Sequence, residues 1–275
     1  MRLQVRSFSI AKSGNQDREN EDAYQYDVER GLLAVADGAS DAFESRRWAQ
    51  TLAEAFIREP PPQDPDLLQQ WLAAPIEEWK AGINWADLPW YGAEKARRGA
   101  FATLLGLIVE APAVDPGLPV PAVRWQAMAV GDSCLFQVRG QELLAHLPVE
   151  RSAEFDTTPA LLSTRPEYNR RSLRGLCSVD GECRPGDIFL LATDALSAWL
   201  LRQEEQNAPP WRRFAAMGEE ELGNLLAELR SGQEIRDDDV TLLQAYIGQD
   251  GPNATDGPPP AAGAGTRRGR KRARR

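Results

Sequence analysis

Acidic residues recur in this 275-residue chain where apolar runs give out: "NEDA" (20–23), "ADGAS" (36–40), "AVGDSCLF" (129–136), "ATDALS" (192–197) and "RDDDVTLL" (236–243). Two of these sites share one shape, an apolar run that ends on Asp37 in "GLLAVADGAS" and on Asp194 in "IFLLATDALS". A carboxylate beside apolar packing carries a desolvation penalty unless something positive meets it. The first stretch, residues 31–40, holds no Lys or Arg. Carboxylates gathered together also repel, by about 4 kcal/mol for a pair ~4 Å apart at an effective dielectric of ~20. A hard divalent cation removes that cost, and oxygen-only ligation selects Mg²⁺ or Mn²⁺ over zinc or copper. Taken singly each motif is ordinary, since Asp-Gly after a strand is a turn signal and a run of Asp is a solvated loop.

Other chemistries fare worse. The single histidine, His146, rules out sites built from several, including the usual zinc hydrolase sets. Cys134, Cys177 and Cys183 form neither a CxxC pair nor a disulfide framework and read as free thiols. A twelve-residue calcium loop with ligands at alternate positions is absent from the sequence.

The elements that must position the carboxylates are mostly strands. "LQVRSFSI" (3–10) and "DAYQYDVE" (22–29) alternate loosely, as half-exposed strands do, and "LLAVA" (32–36) is continuous, as a strand buried on both faces is. Ala49, Leu52, Ala53, Phe56 and Ile57 recur at helical spacing, with Ser40 or Asp41 as candidate caps. A second helix follows through Leu68, Trp71, Leu72, Ile76 and Trp79, bent or interrupted at Pro75. Strands are expected at 101–110, 123–131, 134–140, 142–147, 187–193 and 240–248, with residues 148–186 irregular and helices over "ALSAWLLRQEEQ" and "GEEELGNLLAELRSG". Short links between strands favour antiparallel sheets with helices packed outside them.

Residues 1–249 read as one folded domain and 250–275 as a disordered tail, too poor in large apolar groups to offset chain entropy. The tail ends in the basic "TRRGRKRARR" (266–275), without which the body carries a formal charge of about −16. So acidic a body is not expected to bind nucleic acid specifically, while the tail can touch an acidic partner. No apolar run reaches transmembrane length and the N-terminus lacks a signal-peptide core, so a cytoplasmic protein with no membrane contact is expected.

In order, "NEDAYQYD", "LLAVADGAS", "TLLGLIV", "MAVGDSCLFQVRG", "GDIFLLATDALSAWL" and "RDDDVTLL" resemble the successive motifs of the metal-dependent serine/threonine protein phosphatases of type 2C, in a bacterial-type form. The resemblance covers residues 7–248. It implies an α+β fold, a sandwich of two antiparallel β-sheets flanked on both outer faces by pairs of helices, with a metal centre at one edge. It implies that Asp37 bridges two Mn or Mg ions, that the Gly38 carbonyl binds one of them, and that Asp194 and Asp238 complete the first. Glu21 and Asp22 match the acidic pair of the second metal, and Asp132 matches an aspartate that helps hold a third, weaker ion. A one-residue shift within "DDD" is open, although Asp238 places Thr241 where the family has Thr or Ser. The implied reaction is hydrolysis of phosphoserine or phosphothreonine on proteins by a metal-activated water, with no covalent intermediate.

The chain departs from the family pattern in three places. Ala39 stands where many eukaryotic members have the histidine proposed as general acid, a type of group typically worth about 10²–10⁴ in rate. The phosphate-binding arginine is displaced, so that either Arg18, through a one-residue bulge, or Lys12, as a point charge, takes its place. Ala195 and Ala198 stand where a glycine and a supporting aspartate are usual. The expected partner is a phosphorylated protein, either a Ser/Thr kinase or its targets, met by a monomer. The competing expectation is a pseudophosphatase that keeps the fold as a binding module for a kinase or signalling partner.

Overall fold

The computed structural model describes residues 2–40, 42–85, 88, 90–110, 123–156 and 158–248. The basic tail and the Pro-rich loop at 111–121 lie outside the described residues. Two five-stranded antiparallel sheets carry the fold. The first runs β1 (Leu3–Ile10), β12 (Val240–Ile247), β11 (Asp187–Ala192), β7 (Cys134–Arg139), β8 (Glu142–Leu147) across its width. The second runs β10 (Cys177–Cys183), β6 (Val123–Val130), β5 (Leu104–Val109), β3 (Leu32–Ala36), β2 (Ala23–Asp27).

The continuous apolar strands follow from three stacked cores. Along β3, Leu33 and Val35 face the other sheet while Ala34 and Ala36 face helices. Along β11, Phe189 and Leu191 point inward, and Leu190 and Ala192 pack under helices. A period-2 alternation between two apolar environments shows no polar residues, so the strand reads as a solid apolar run. The inter-sheet core centres on Trp125 and Phe189, whose rings meet edge to face with centroids 5.4 Å apart.

On the outer face of the second sheet lie α1 (Ser45–Arg58), α2 (Pro65–Trp71), α3 (Ala73–Ala81) and α4 (Trp90–Arg98). The outer face of the first sheet is covered by α6 (Asp194–Glu205), α7 (Trp211–Ala216) and α8 (Glu219–Ser231). Each face therefore carries more than the expected pair. α1 seats directly on β5 at Gly106, where any Cβ would fall 2.0 Å from the Phe56 ring.

Several expectations need correction. α1 starts at Ser45 after Glu44 in a left-handed conformation, so Ser40 does not cap it, and Asp41 lies outside the described residues. The interruption expected at Pro75 falls at Leu72, where two helices part. Pro75 in the first turn of α3 has no N–H to give back to Trp71. Asp64 caps α2 by accepting from the N–H groups of Asp66 and Leu67. The run 101–110 is broken at Thr103 into β4 (Phe101–Ala102) and β5, because β4 leaves the sheet to pair with β9 (Leu162–Ser163). The stretch read as irregular contains β9, α5 (Pro166–Ser172) and the edge strand β10. β10 is short of large apolar residues because one of its faces is solvent.

Strand register sets where the carboxylates meet. Ile10 pairs with Val240, Leu242 with Ala192, and Ala192 with Cys134. Ala23 pairs with Ala36, and Leu104 with Val130. The end of β1, both ends next to Asp22 and Asp37, the β6–β7 turn, the end of β11 and the start of β12 thus share one end of the sandwich.

Candidate active site

Asp37 leaves β3 with its backbone clamped: its N–H donates to Thr103 Oγ1 (2.9 Å), and its C=O accepts from Thr103 N–H (2.8 Å). Thr103 Oγ1 pairs in turn with Ser133 Oγ in the turn that carries Asp132. Gly38 passes so close to its neighbours that a Cβ would lie 2.8 Å from the Glu21 carbonyl oxygen and 2.9 Å from that of Ser45. Only glycine lets β3, α1 and the Glu21–Asp22 segment converge here.

Asp22 is buried. It accepts from Thr193 Oγ1 (3.0 Å) and from the Thr241 hydroxyl, while Thr193 Oγ1 accepts from Thr241 N–H (2.9 Å). Glu21 accepts from Ser45 Oγ (2.7 Å), and Lys12 Nζ stands 3.5 Å from its other oxygen. Asp194 opens α6, and its Oδ2 accepts from Arg236 Nη1 at 2.8 Å. The second nitrogen of Arg236 donates to the Phe155 carbonyl (3.1 Å).

The three aspartates of "DDD" have three different surroundings. Asp237 accepts from Ser13 N–H and pairs with Arg230. Asp239 accepts from Lys12 N–H on one oxygen (2.8 Å) and Glu21 N–H on the other (2.7 Å), tying the loop after β1 to the start of β12. The Asp238 carboxylate accepts its neighbour's N–H and turns its charge toward the acidic cluster, while its carbonyl accepts from Arg230 (2.6 Å).

The electrostatics record that convergence. Burial, then the charges of Asp22, Asp194, Asp132 and Asp238, hold the Asp37 carboxyl well above the usual carboxylate range. Burial likewise raises Asp22, against the pull of its two threonine hydroxyls. Asp132 is pushed up to about 7, by burial first and Asp194 second. Burial and Asp238 raise Asp194, with Arg236 pulling the other way. On Lys12, burial favours the neutral amine but Asp239, Glu21 and Asp238 together outweigh it, and the ammonium is stabilised.

The donor set suits a hard cation: oxygen only, with five carboxylates in one field and more negative charge than Lys12 and Arg236 offset. Among the described residues, however, no three His, Cys, Asp or Glu side chains stand close enough to grip a single ion. The carboxylates share a field rather than one coordination shell, as mutual repulsion and the Arg236 contact on Asp194 favour.

Of the two candidate phosphate ligands, Lys12 is against the cluster, and its Nζ also donates to Ser40 Oγ (3.1 Å). Arg18 lies in the exposed 3-10 turn Asp17–Glu19, where its carbonyl accepts from Arg46. Among the described residues no carboxylate pairs with its guanidinium. Sequence reasoning missed Arg236, although a cation directly before an acidic run was there to be read. It also missed the clamping by Asp239, which nothing in "DDD" distinguishes from its neighbours.

The protein phosphatase 2C family model matches residues 12–230, and the chain belongs to that family. No curated protein matches the sequence. Among solved structures, the Mycobacterium tuberculosis serine/threonine phosphatase PstP/Ppp is similar at 21% identity, with 90% of this chain and 100% of that one covered and a TM-score of 0.53. The catalytic domain of the serine/threonine protein phosphatase PstP in complex with two manganese ions is 20% identical, with coverages of 90% and 99% and a TM-score of 0.54. Serine/threonine phosphatase Stp1 from Staphylococcus aureus is 16% identical, with coverages of 90% and 96% and a TM-score of 0.55. At these identities the likeness establishes a shared fold, the two-sheet sandwich with helices outside.

Proposed function

We propose that the protein is a Mg²⁺- or Mn²⁺-dependent phosphatase acting on phosphoserine or phosphothreonine in proteins, the targets of a Ser/Thr kinase. The observation that carries this is the common field of Asp37, Asp132, Asp194 and Asp238, which come from four separate strand ends. Asp37, Asp194, Asp238 and the Gly38 carbonyl would hold the first ion, which requires these carboxylates to draw closer together than they stand. Glu21 and Asp22 are assigned to the second ion, and Asp132 to a weaker third. When bound, such cations neutralise the carboxylates and act as Lewis acids on water and on the phosphoryl oxygens.

The chain's own residues then bind and orient. The threonine pair fixes Asp22, Thr103 fixes the backbone of Asp37, and Asp239 fixes the backbone on either side of the loop bearing Arg18. Lys12 offers a positive charge at the rim, and Arg18, exposed and unpaired among the described residues, is the other side chain offered to a phosphoryl group.

Direct attack by water fits what the other side chains do. Burial raises the Cys134 thiol far above its ordinary value and pushes Cys183 up to about 12. His146 stacks on Phe136 with Nδ1 against the Val149 carbonyl. Neither a thiolate nor an imidazole is therefore poised as nucleophile.

The test is turnover of a phosphothreonine peptide and of p-nitrophenyl phosphate with Mn²⁺, abolished by EDTA and by Asp37→Asn or Asp194→Asn. No metal-dependent turnover from folded protein rejects the reading. One feature favours the pseudophosphatase instead: Arg236 already pairs with Asp194. Under that reading, calorimetry finds no tight Mn²⁺ site.

A further inference from the structure

A groove of about 170 Å³ opens beside the acidic cluster and runs along one face of α6. It begins at Asp194, its floor is Ala195, Ala198 and Trp199, and its far end is Arg202. These positions recur at helical i, i+4 spacing and so share one face of α6. Ser152 and Phe155 form one wall, and the 234–236 loop forms the other. Ala195 and Ala198 project only a methyl each, so the space above them stays open.

The charge along this channel is organised. Arg202 is exposed and uses Nη1 to donate to the Glu234 carbonyl (3.0 Å). Among the described residues its fork makes no other hydrogen bond, although, behind the Ser152 hydrogen bonds, its charge helps hold the Glu205 carboxyl below the usual range. The acidic groups close by are turned elsewhere or engaged. Glu205 accepts from Ser152 N–H and Oγ with its two oxygens, and Glu234 curls back toward Gly232. Arg236 holds Asp194 at the opposite end. On an otherwise acidic body, the channel thus leads from the carboxylate cluster to an available guanidinium.

The geometry points to a subsite: we propose that Arg202 receives a carboxylate side chain of the substrate protein, two to four residues from the phosphorylated residue. The spacing follows from chain dimensions. Eight residues of α6 separate Asp194 from Arg202, about 12 Å, and an extended peptide covers that in three to four residues at about 3.3 Å each. The fork of Arg202 reaches back toward Glu234, two residues from Arg236, which admits the shorter spacing. The inference rests on the phosphatase reading for where the phosphorylated residue sits.

The experiment uses fluorescein-labelled peptides bearing a non-hydrolysable phosphonate analogue of phosphoserine, with Glu or Lys placed at each of five positions on either side. Anisotropy in Mn²⁺ measures affinity without turnover, and matching phosphopeptides measure hydrolysis in parallel. A Glu two to four residues away on one side binds about three- to fivefold tighter than Lys, the upper range for an exposed pair. Arg202→Glu reverses the order. Ala198→Leu, which fills the channel and leaves Arg202 in place, removes the preference and serves if Arg202→Glu does not fold. Equal affinities at every position, or no binding up to about 1 mM, overturn the subsite. Discrimination in binding with no hydrolysis of any phosphopeptide sinks the catalytic reading and leaves the subsite standing.

Discussion

Arg236 Nη1 donates to Asp194 Oδ2 at 2.8 Å, so the first residue of α6 is already half-neutralised by the chain itself. A divalent ion that uses the same oxygen must displace a charge-assisted hydrogen bond, and the arginine is half exposed and can swing away. Arg236→Ala is expected to tighten apparent Mn²⁺ affinity several-fold in a calorimetric titration. An unchanged or weakened affinity shows that the guanidinium supports the site instead of competing for it.

The metal-free protein should lose stability as pH rises. The folded-state carboxyls of Asp22, Asp37 and Asp132 sit above their unfolded values, with Asp132 at about 7. The folded state therefore holds more protons than the unfolded one across the window from about pH 4 upward, and stability falls there. In EDTA the melting temperature is expected to be lower at pH 8 than at pH 5.5, at about 2–4 °C for each kcal/mol in a domain of this size. Saturating Mn²⁺ should flatten or invert the slope, because the cation binds the ionised form. A melting temperature that climbs with pH in EDTA would contradict the raised carboxyls.

Asp239 joins two chain segments more than two hundred residues from it through two N–H···carboxylate bonds. Hydrogen bonds to a charged group contribute about 1.5–3 kcal/mol each, and buried donors left unmet cost more. Asp239→Ala should lower unfolding free energy by about 3 kcal/mol, even though it relieves some repulsion on Asp22. Asp239→Asn, which keeps one acceptor, should recover roughly half of that loss. The midpoint of urea unfolding distinguishes the three proteins.

Gly38→Ala is a steric test of how the site is assembled. The new methyl would meet backbone atoms of Glu21 and Ser45, which cannot swing aside as a side chain can. The expected result is a folded protein destabilised by about 1–3 kcal/mol, with Mn²⁺ affinity reduced at least tenfold. Wild-type metal binding in this variant would show that β3 and the Glu21 segment are more loosely coupled than their contact suggests.

Much of the scaffold was legible because the cores are stacked. A strand that alternates between two apolar environments, such as β3 or β12, is apolar at every position and stands out from its neighbours. β9, β10 and α5 were not legible. β9 and β10 take their hydrogen bonds from distant partners, Ala102 for Leu162 and Gln126 for Asp180, and α5 spans only seven residues, too few for a periodic pattern to stand out. The break in the run 101–110 has the same origin, since only the pairing of β4 with β9 marks Thr103 as a junction.

By itself, the sequence determined which residue types end which strands, because a carboxylate after an apolar run is a local, one-dimensional fact. It also determined that the side chains recurring at strand ends offer oxygen ligands, with one histidine and three scattered cysteines elsewhere. Which of three consecutive aspartates faces the cluster was decided by tertiary structure. Asp237 and Asp239 are consumed by the N–H groups of Ser13, Lys12 and Glu21, donors that the chain brings up only when β1 and β12 pair. The same holds for the countercharge. Arg236 meets Asp194 across 42 residues because the loop before β12 passes the start of α6, and electrostatic partners follow distance in space, not order along the chain.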